Sequence, residues 1–338
     1  MSEPRKGQKG GVAMIPGFSY LRAGSVKEAI SGLFRGNAKI HAGGTDLLGC
    51  LRDQVFATDM IVSISGITEL KGIHETPKGD LRIGALTTIT EISENRIIRE
   101  RYPALAQAAA EVASPQLRNQ GTIGGNLCQK PRCWYYRGGF HCLRKGGNKC
   151  YAVSGENQYH CILGGDRCYI VHPSDTAPVL TAYGATVHIS GPAGMRKVPL
   201  DHFFVPPSKD AMKETVLETG EILTDIVLPL PREGMKSTYR KVRTRRAWDF
   251  ALAGVALVLQ MTGDKVTDVR IVLSGAAPFP WRTTAAEQAL IGNVMNADSI
   301  RRAAELSVSG AHPLKHNAYK IPLFRGMIEE ELLNMSMT

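Results

Sequence analysis

Two glycine-containing stretches decide the fold of this chain: KIHAGGTDLL at residues 39–48 and QLRNQGTIGGN at residues 116–126. Each places a glycine pair after or within strand-like sequence, with a hydroxyl or amide side chain beside it. Consecutive backbone N–H groups that no Cβ shields can surround the oxygens of a pyrophosphate. Neither stretch matches G-x-G-x-x-G or the P-loop, so a Rossmann or NTPase fold is poorly supported. Two such loops in one chain favour a dinucleotide site over ordinary turns.

Hydrophobic periodicity around the loops predicts an α+β fold. Residues 20–67 have a βαβ pattern, in which Ser25 is followed three residues later by Glu28 at the start of a helix. A second composition shift near Pro229 separates a C-terminal region with its own strands and helices. The further predicted strands lie at residues 81–85, 185–189, 222–228, 250–259 and 266–273, and the further helices at 90–99, 103–114, 285–290 and 299–308.

The formal net charge of +10 is compatible with nucleic acid, an acidic protein partner or an anionic cofactor. The densest basic cluster, residues 240–246, precedes an apolar stretch and reads equally well as a solvated strand end or as a binding site. No stretch approaches the roughly 18 consecutive apolar residues of a membrane span. The basic start of the chain lacks an apolar run of signal-peptide length. We therefore expect a cytoplasmic protein without a membrane span, unless its complex is exported on a partner's signal.

Cysteines cluster in the middle of the chain. Of seven cysteines, five lie between Cys133 and Cys168, Cys128 lies just before them, and Cys50 stands alone as a small buried hydrophobe. Residues 128–167 are rich in glycine, hold seven Lys and Arg against two acidic residues, and show little apolar periodicity. We expect an irregular loop there that cannot pack a core by itself. Metal or cluster ligation is a better interpretation of these cysteines than disulfides, given a chain of this length.

The cysteine spacing narrows the kind of metal centre. The pattern Cys133-x8-Cys142-x7-Cys150-x10-Cys161-x6-Cys168 contains no C-x2-C pair, which disfavours zinc fingers and ribbons. Widely spaced thiolates on irregular backbone suit a [4Fe–4S] cluster held by four cysteines. Unpaired or disulfide-bonded surface thiols are the alternative. No nucleophile–base pair stands out elsewhere, so no catalytic residue is predicted.

Four segments together carry a resemblance to a known family: residues 42–48, residues 116–126, HPSD at 172–175, and KVR at 241–243 with DFALA at 249–253. In order and spacing, over about residues 18–333, they resemble the FAD-binding medium subunits of the xanthine dehydrogenase family. The resemblance implies a two-lobed FAD-binding domain of the vanillyl-alcohol-oxidase (PCMH) type plus a C-terminal α+β domain. The implied boundaries are a flexible leader at 1–15, lobes at about 16–70 and 71–230 with an insertion at about 128–168, and the C-terminal domain at 231–338.

The resemblance also implies roles for individual residues. Asp175 would hydrogen-bond a ribose, Leu223 would pack on the isoalloxazine, and Lys241 would lie near the flavin ring. As alternatives, Asp175 would be a helix N-cap and Leu223 an ordinary core residue. The other residues implied to surround FAD are Ile40, His41, Ala42, Gly43, Gly44, Thr45, Asp46, Leu47, Val112, Thr122, Ile123, Gly124, Gly125 and Asn126.

Two relatives in this family, 4-hydroxybenzoyl-CoA reductase and the periplasmic aldehyde oxidase, carry a [4Fe–4S] cluster in the corresponding insertion. The resemblance to both implies Cys133, Cys150 and Cys168 as ligands. The aldehyde-oxidase pattern places the fourth cysteine at Cys142, whereas the reductase pattern places it at Cys161. The sequence that follows Cys150 is closer to the aldehyde-oxidase pattern, which favours Cys142 and leaves Cys128 as a bystander.

The family implies an oxidoreductase subunit that carries FAD and the cluster but no substrate site. Its partners would be a small subunit with two [2Fe–2S] clusters and a large molybdenum-cofactor subunit that performs the substrate chemistry. The external carrier would be ferredoxin-like, and electrons would pass between it and the [2Fe–2S] clusters. A stand-alone flavoenzyme of the vanillyl-alcohol-oxidase type is weakened by the missing length of a substrate domain. A basic metal-binding nucleic-acid module is a third hypothesis, and we expect no nucleic acid to bind.

Overall fold

The computed structural model describes residue 15 and residues 17–337. The expected leader, residues 1–15, therefore lies outside the described residues apart from Ile15. Three β-sheets, each with its own packed helices, organise the described chain. This arrangement confirms the predicted α+β fold class.

The first sheet is parallel and has the strand order β1-β3-β2. Its register pairs Tyr20 with Ile61 on one side and Ile40 with Val62 on the other. Ser25 caps the first helix, as its position predicts, and accepts a hydrogen bond from the backbone N–H three residues on. The elements of this lobe are β1 (Ser19–Arg22), α1 (Val26–Leu33), β2 (Ala38–His41), α2 (Leu47–Arg52) and β3 (Met60–Ser63).

The second sheet is antiparallel and has the strand order β4-β5-β8-β6-β7. Its inner face and the surrounding helices bury one large core, in which Ile83, Val187 and Ile226 are fully buried. A short 3-10 helix at Leu200–His202 follows β7. The elements of this lobe are β4 (Ile73–Glu75), β5 (Leu81–Gly84), α3 (Ile89–Glu94), α4 (Arg96–Arg101), α5 (Pro103–Glu111), α6 (Pro115–Gln120), α7 (Ile123–Cys128), α9 (Thr176–Ala182), β6 (Thr186–Gly191), β7 (Gly194–Pro199) and β8 (Ile222–Leu228).

Three helical segments of this lobe differ from the sequence-based prediction. The helix expected at 90–99 is two helices, because Asn95 leaves helical geometry and caps α4 through its side chain. The helix expected at 103–114 ends at Glu111, and Ala113 adopts φ +45°. The glycine pair of the second stretch, at residues 124–125, lies in the first turn of α7 rather than in an open loop, because Thr122 caps this helix.

The third sheet is antiparallel, with the order β12-β11-β10-β9, and confirms the predicted pairing of the strands at 250–259 and 266–273. Its helices bury a second core around Leu257, Ile271 and Phe324. The last helix was not predicted. The elements are β9 (Lys236–Val242), β10 (Ala253–Thr262), β11 (Lys265–Ser274), β12 (Trp281–Arg282), α10 (Thr284–Leu290), α11 (Ala297–Ser307) and α12 (Lys320–Met337).

The cysteine-rich segment, residues 128–168, contains only α8 (Trp134–Arg137) and a 3-10 helix at Leu143–Lys145. It nevertheless buries side chains, because Tyr136 and Cys142 pack against Cys50 and Val55 of the first lobe. The expected loop is therefore irregular, as predicted, but it shares small apolar clusters with the lobes around it. Among the residues described, no helix combines the length and apolar character needed to cross a membrane.

Candidate functional site

Two neighbouring cavities meet at the two glycine stretches. The larger, about 410 Å³, lies between β2, α2 and residues 214–223. The smaller, about 300 Å³, lies between the second lobe and residues 248–250 of the C-terminal region. Their volumes together suit an extended dinucleotide, whose two halves would occupy one cavity each. The residues that line both cavities, and so mark their junction, are Thr45, Asp46, Thr122, Gly125 and Gln129.

The first glycine stretch supplies unpaired hydrogen-bond donors at this junction. The backbone N–H groups of Gly43, Gly44, Thr45 and Asp46 donate no hydrogen bond to another described residue. Gly43 packs so closely on the second stretch that a Cβ there would lie 1.8 Å from the Gln120 carbonyl oxygen. Several N–H groups without partners in one concave turn form an anion-binding nest. The geometry therefore fits a pyrophosphate at the first stretch.

The second glycine stretch contributes differently from what its sequence predicts. The N–H of Ile123 donates to Thr87 O and the N–H of Gly124 donates to Ala85 O, each at 2.9 Å. The N–H of Gly125 donates to the hydroxyl of its own helix cap. The expectation of consecutive free N–H groups is thus right for the first stretch and wrong for the second. These donors are already paired, two of them with the backbone that follows β5 and one with the residue that caps α7.

Gly124 has a packing role in this arrangement. A Cβ at Gly124 would lie 2.9 Å from the Ala85 Cβ and 3.0 Å from the Ala85 carbonyl oxygen. Gly124 therefore lets α7 approach the end of β5. Thr122, Gly125 and Asn126 remain at the cavity walls.

The HPSD segment orients Asn126 in the smaller cavity. The hydroxyls of Ser174 and Thr176 donate to Asn126 Oδ1 at 2.5 and 2.7 Å. With its oxygen occupied, the amide NH₂ of Asn126 is left to donate to a ligand. His172 is buried and pairs its Nε2 with Leu127 O at 3.2 Å. Burial lowers the pKa of His172 to about 4, so this histidine is neutral and structural.

Asp175 forms a buried ion pair at the wall of the smaller cavity. Lys241 Nζ donates to Asp175 Oδ2 and the Tyr239 hydroxyl donates to Asp175 Oδ1, both at 2.8 Å. Burial raises the pKa of the Asp175 carboxyl, while the Lys241 ammonium opposes that rise. Asp175 occupies the N-cap position of α9, as the alternative interpretation expected, but its side chain makes no cap hydrogen bond.

Leu223 and Lys241 differ in their relation to the two cavities. Leu223, on β8, lines the larger cavity and is almost fully buried. Lys241 lines neither cavity and instead supports Asp175 and the carbonyl of Glu111. The resemblance placed both Leu223 and Lys241 at the flavin ring. The structure does not bring them together.

Most of the other predicted residues line the cavities, and several unpredicted ones join them. Ile40, Ala42 and Leu47 line the larger cavity and Val112 the smaller. His41 and Ile123 line neither cavity. His41 Nδ1 lies 3.3 Å from the Ser63 hydroxyl, and Ile123 is fully buried. The cavities are also lined by residues to which sequence reasoning assigned no role: Lys39, Phe56, Leu217, Trp248 and Phe250. Trp248 directly precedes the DFALA segment and Phe250 lies within it, and that segment was the only signal available.

Asp46 joins the first glycine stretch to the cysteine-rich segment. Its carboxylate pairs with Arg132 and Arg137 and accepts the backbone N–H of Lys130 at 2.7 Å. Burial alone would raise the pKa of Asp46, but the two guanidinium charges and these hydrogen bonds lower it overall. Asp46 is therefore a structural anion that links the two segments.

Glu214 makes a second link between the larger cavity and the cysteine-rich segment. It lines that cavity, pairs with Lys130, and accepts a hydrogen bond from Arg144 at 2.5 Å. The guanidinium of Arg144 is almost fully buried and also interacts electrostatically with the neighbouring thiol of Cys168. A chain of charged groups thus runs from the cofactor cleft to the cysteines.

Four cysteines line one further cavity, together with His160, Tyr136 and Arg144. They are Cys133, Cys142, Cys150 and Cys168.

The remaining cysteines lie elsewhere. Cys161 is fully buried, lies close to the buried Lys320, and does not line the cysteine cavity. Cys128 lines the larger cavity, and Cys50 is buried, as predicted. All seven cysteines are free thiols, so the disulfide interpretation is wrong.

Of the cysteines in and beside this cavity, Cys142, Cys161 and Cys168 are buried, while Cys133 and Cys150 are half-buried. The pKa of Cys133 is raised to about 12, mainly by burial and to a smaller extent by its neighbours Cys168 and Cys150. Within residues 17–337, no three His, Cys, Asp or Glu side chains are arranged to hold a single metal ion. A [4Fe–4S] cluster does not need three ligands around one ion, because each of its four irons takes one thiolate. The absence of a single-ion site within these residues therefore does not test the sequence-based expectation of a [4Fe–4S] ligand set.

Comparison with known proteins gives consistent matches over nearly the whole chain. Residues 16–231 match the FAD binding domain in molybdopterin dehydrogenase, and residues 237–335 match the CO dehydrogenase flavoprotein C-terminal domain. The aldehyde oxidoreductase FAD-binding subunit PaoB of Escherichia coli (strain K12) is 34% identical over 90% of this chain and 94% of that protein. The carbon monoxide dehydrogenase medium chain of Hydrogenophaga pseudoflava is 29% identical over 94% of this chain and 96% of that protein.

Solved structures agree with these matches. A structure of carbon monoxide dehydrogenase from Hydrogenophaga pseudoflava superposes with a TM-score of 0.75 at 29% identity, over 94% of this chain and 96% of that one. Quinoline 2-oxidoreductase from Pseudomonas putida 86, at 24% identity and a TM-score of 0.75, covers 96% of this chain and 98% of that one and shares the fold.

Proposed function

Because this chain belongs to the family of FAD-binding medium subunits of the xanthine dehydrogenase and carbon monoxide dehydrogenase type, we propose that it passes electrons between [2Fe–2S] clusters of a partner subunit and an external carrier. It is an oxidoreductase subunit whose substrate chemistry belongs to a partner. The proposed partners are a small subunit with two [2Fe–2S] clusters and a large molybdenum-cofactor subunit.

FAD binding is supported mainly by the row of unpaired backbone N–H donors near the place where the two cavities meet. Four successive residues, from Gly43 to Asp46, line the larger cavity, and their N–H groups have no acceptor among the described residues. They would hold the pyrophosphate, while the oriented amide of Asn126 would donate to an adjacent oxygen. When bound, FAD supplies the chemistry that couples two-electron to one-electron transfer. We expect one FAD per chain, bound without a covalent link.

The two halves of FAD would lie on opposite sides of the junction. We assign Leu223 to the isoalloxazine and Asp175 to the ribose, with Lys241 holding the Asp175 carboxylate in place. On this assignment, Leu223→Ala shifts the visible flavin absorption bands. Asp175→Asn weakens FAD binding without shifting those bands. The reverse pattern would put the flavin ring in the smaller cavity and the adenosine in the larger one.

A [4Fe–4S] cluster is the second cofactor that we propose, held by Cys133, Cys142, Cys150 and Cys168. Support comes from the cavity that these four side chains share and that Cys161 does not line. The donors fit, because a four-iron cluster takes four thiolates and is enclosed by apolar and hydrogen-bonding side chains. When bound, the cluster supplies one-electron exchange.

The ligand set is tested by single cysteine variants. We expect Cys142→Ser to lower iron and acid-labile sulfide by about one cluster per chain. Cys161→Ser and Cys128→Ser are the matched controls and keep full iron content. If Cys161→Ser empties the site and Cys142→Ser does not, the ligand set with Cys161 is right instead.

A ferredoxin-like protein is the external carrier that we propose. The segment at residues 128–167 is strongly basic, so an acidic carrier would dock on it by charge attraction. Reduction by such a carrier should slow as ionic strength rises, because salt screens exposed charges. A rate that does not depend on salt argues against this docking surface.

The experiment that tests the whole proposal is purification from the native host. We expect two other chains to copurify, and FAD, iron and molybdenum to be present together. A yellow chain that purifies alone, without molybdenum, would favour the stand-alone flavoenzyme. A colourless zinc protein would contradict both.

A further inference from the structure

His160 lies against the cysteine cavity and is fixed on several sides. Its side chain is almost fully buried, and its Nε2 lies 3.3 Å from Cys133 Sγ. The edge of its ring meets the indole of Trp134, with centroids 5.9 Å apart. Its backbone carbonyl accepts a hydrogen bond from Asn317 at 3.0 Å. The imidazole therefore has little freedom to turn away from Cys133.

The hydrogen-bond inventory decides which ring nitrogen of His160 carries the proton. Nδ1 is buried and has no hydrogen-bond partner. A neutral imidazole has one N–H donor and one bare acceptor. Placing the proton on Nδ1 would bury a donor that has no acceptor, which is unfavourable. Placing it on Nε2 directs the N–H at Cys133 Sγ, so the sulfur is the acceptor, as a thiolate ligand would be.

We propose that His160 is a positioning residue that donates an Nε2–H hydrogen bond to Cys133 Sγ and raises the reduction potential of the cluster held there. This inference rests on the proposed [4Fe–4S] cluster. Reduction adds one electron to the cluster, breaks no bond, and leaves the proton on His160. A donor at a ligand sulfur stabilises the more negative, reduced state more than the oxidised one.

The test is a redox titration of the purified complex, followed by the electron paramagnetic resonance signal of the reduced cluster. We expect His160→Leu to lower the equilibrium constant for cluster reduction about tenfold. For a one-electron couple this corresponds to a midpoint potential that is lower by about 59 mV. His160→Gln, which keeps an N–H donor, should restore much of the potential. His141→Leu, an exposed histidine of the same segment, should leave it unchanged.

The outcomes separate this inference from the function on which it rests. If the wild-type protein contains no iron, the proposed cluster itself is contradicted. An unchanged potential in His160→Leu, with full iron content, would overturn the role of His160 and leave the cluster standing. Loss of iron from both His160→Leu and His160→Gln would also overturn it, because His160 would then be needed to hold the cluster.

Discussion

Gly43 illustrates how one absent side chain shapes the cofactor site. Its Cα faces the Gln120 carbonyl, which belongs to the backbone and cannot swing aside as a side chain would. The contact brings the two glycine stretches together at the wall of the larger cavity, where the N–H groups of the first stretch remain unpaired within the described chain. The close approach, rather than an unusual φ, is what requires glycine at this position.

Replacing Gly43 should therefore separate the two stretches. We expect Gly43→Ala to lower FAD affinity at least tenfold and to reduce the free energy of unfolding by about 1–3 kcal/mol, as overpacking does. Flavin fluorescence titration and denaturant unfolding measure the two effects. Gly139→Ala is the control, because a Cβ there would meet no atom within 4 Å. Wild-type affinity in Gly43→Ala would contradict the assigned pyrophosphate site.

Asp46 should make stability depend on acid pH. Its folded-state pKa is lowered, so the stability that its charge contributes is present above the ordinary carboxyl pKa of about 4. That contribution is lost as the pH falls through the lowered folded-state pKa. We expect Asp46→Asn to cost about 1–3 kcal/mol at pH 7 and progressively less in acid.

Denaturant unfolding of Asp46→Asn and wild type at several pH values measures this difference. Glu100→Gln is a matched acid-to-amide control in an exposed pair with Arg96, and should change stability by less than about 1 kcal/mol. A difference for Asp46→Asn that stays constant into strong acid would show that the charge is not what stabilises the link.

At the scale of the elements, the cysteine-rich segment has few helices of its own and is held in place by contacts with neighbouring segments. Asn317, fully buried before α12, donates to the carbonyls of His160 and Cys161, both at 3.0 Å. Its Oδ1 accepts the N–H of Leu314, and the N–H of His316 donates to Asn157 Oδ1 at 2.8 Å. The C-terminal region thus holds the far half of the segment against β11 and α12.

Removing the Asn317 amide should loosen that half of the segment. We expect Asn317→Ala to cost about 2–4 kcal/mol, because two buried carbonyls lose their donor. Hydrogen exchange at residues 157–163 should quicken as a result. Asn293→Ala, which removes only a local exposed hydrogen bond to Ala289 O, serves as the control. Unchanged exchange at 157–163 would mean that other contacts hold the segment.

On the scale of the whole molecule, one buried ion pair crosses between the domains at the wall of the smaller cavity. Asp175 comes from the second lobe, and Lys241 and Tyr239 come from β9 of the C-terminal region. The side chains of Asp175 and Lys241 are both almost fully buried. Removing one partner of such a pair leaves an uncompensated charge, which costs more than removing both.

A double-mutant cycle tests this coupling. We expect Lys241→Met to lower the free energy of unfolding by about 3–5 kcal/mol. Adding Asp175→Asn should recover part of the loss, since the orphaned charge is gone. Denaturant unfolding of the four proteins measures the coupling. Lys213→Met, in an exposed pair with Glu218, provides the baseline. Strictly additive effects would mean that the pair does not join the domains.

Sequence reasoning succeeded where the information was local. The capping serine at Ser25, the apolar periods of β10 and β11 and the glycine pair at residues 43–44 each act over a few neighbouring residues. Such signals, together with the family resemblance, predicted the α+β class. They also predicted that most residues of the first glycine stretch lie together at a cavity. The sequence-based prediction was wrong at Asn95 and at Thr122. At each position a side-chain cap begins a helix that was not predicted.

The tertiary structure alone decided how distant segments meet. Lys241 could not be placed beside Asp175 from sequence, because the two are far apart in the chain: Asp175 precedes α9 and Lys241 lies on β9. The same holds for the carboxylate of Asp46 among the arginines of the cysteine-rich segment. The hydrophobic period and the spacing of residues specify which side chains share a face of a helix or strand. The pairing of buried charges depends instead on how the sheets and helices pack, because only packing removes the water that would otherwise solvate each charge.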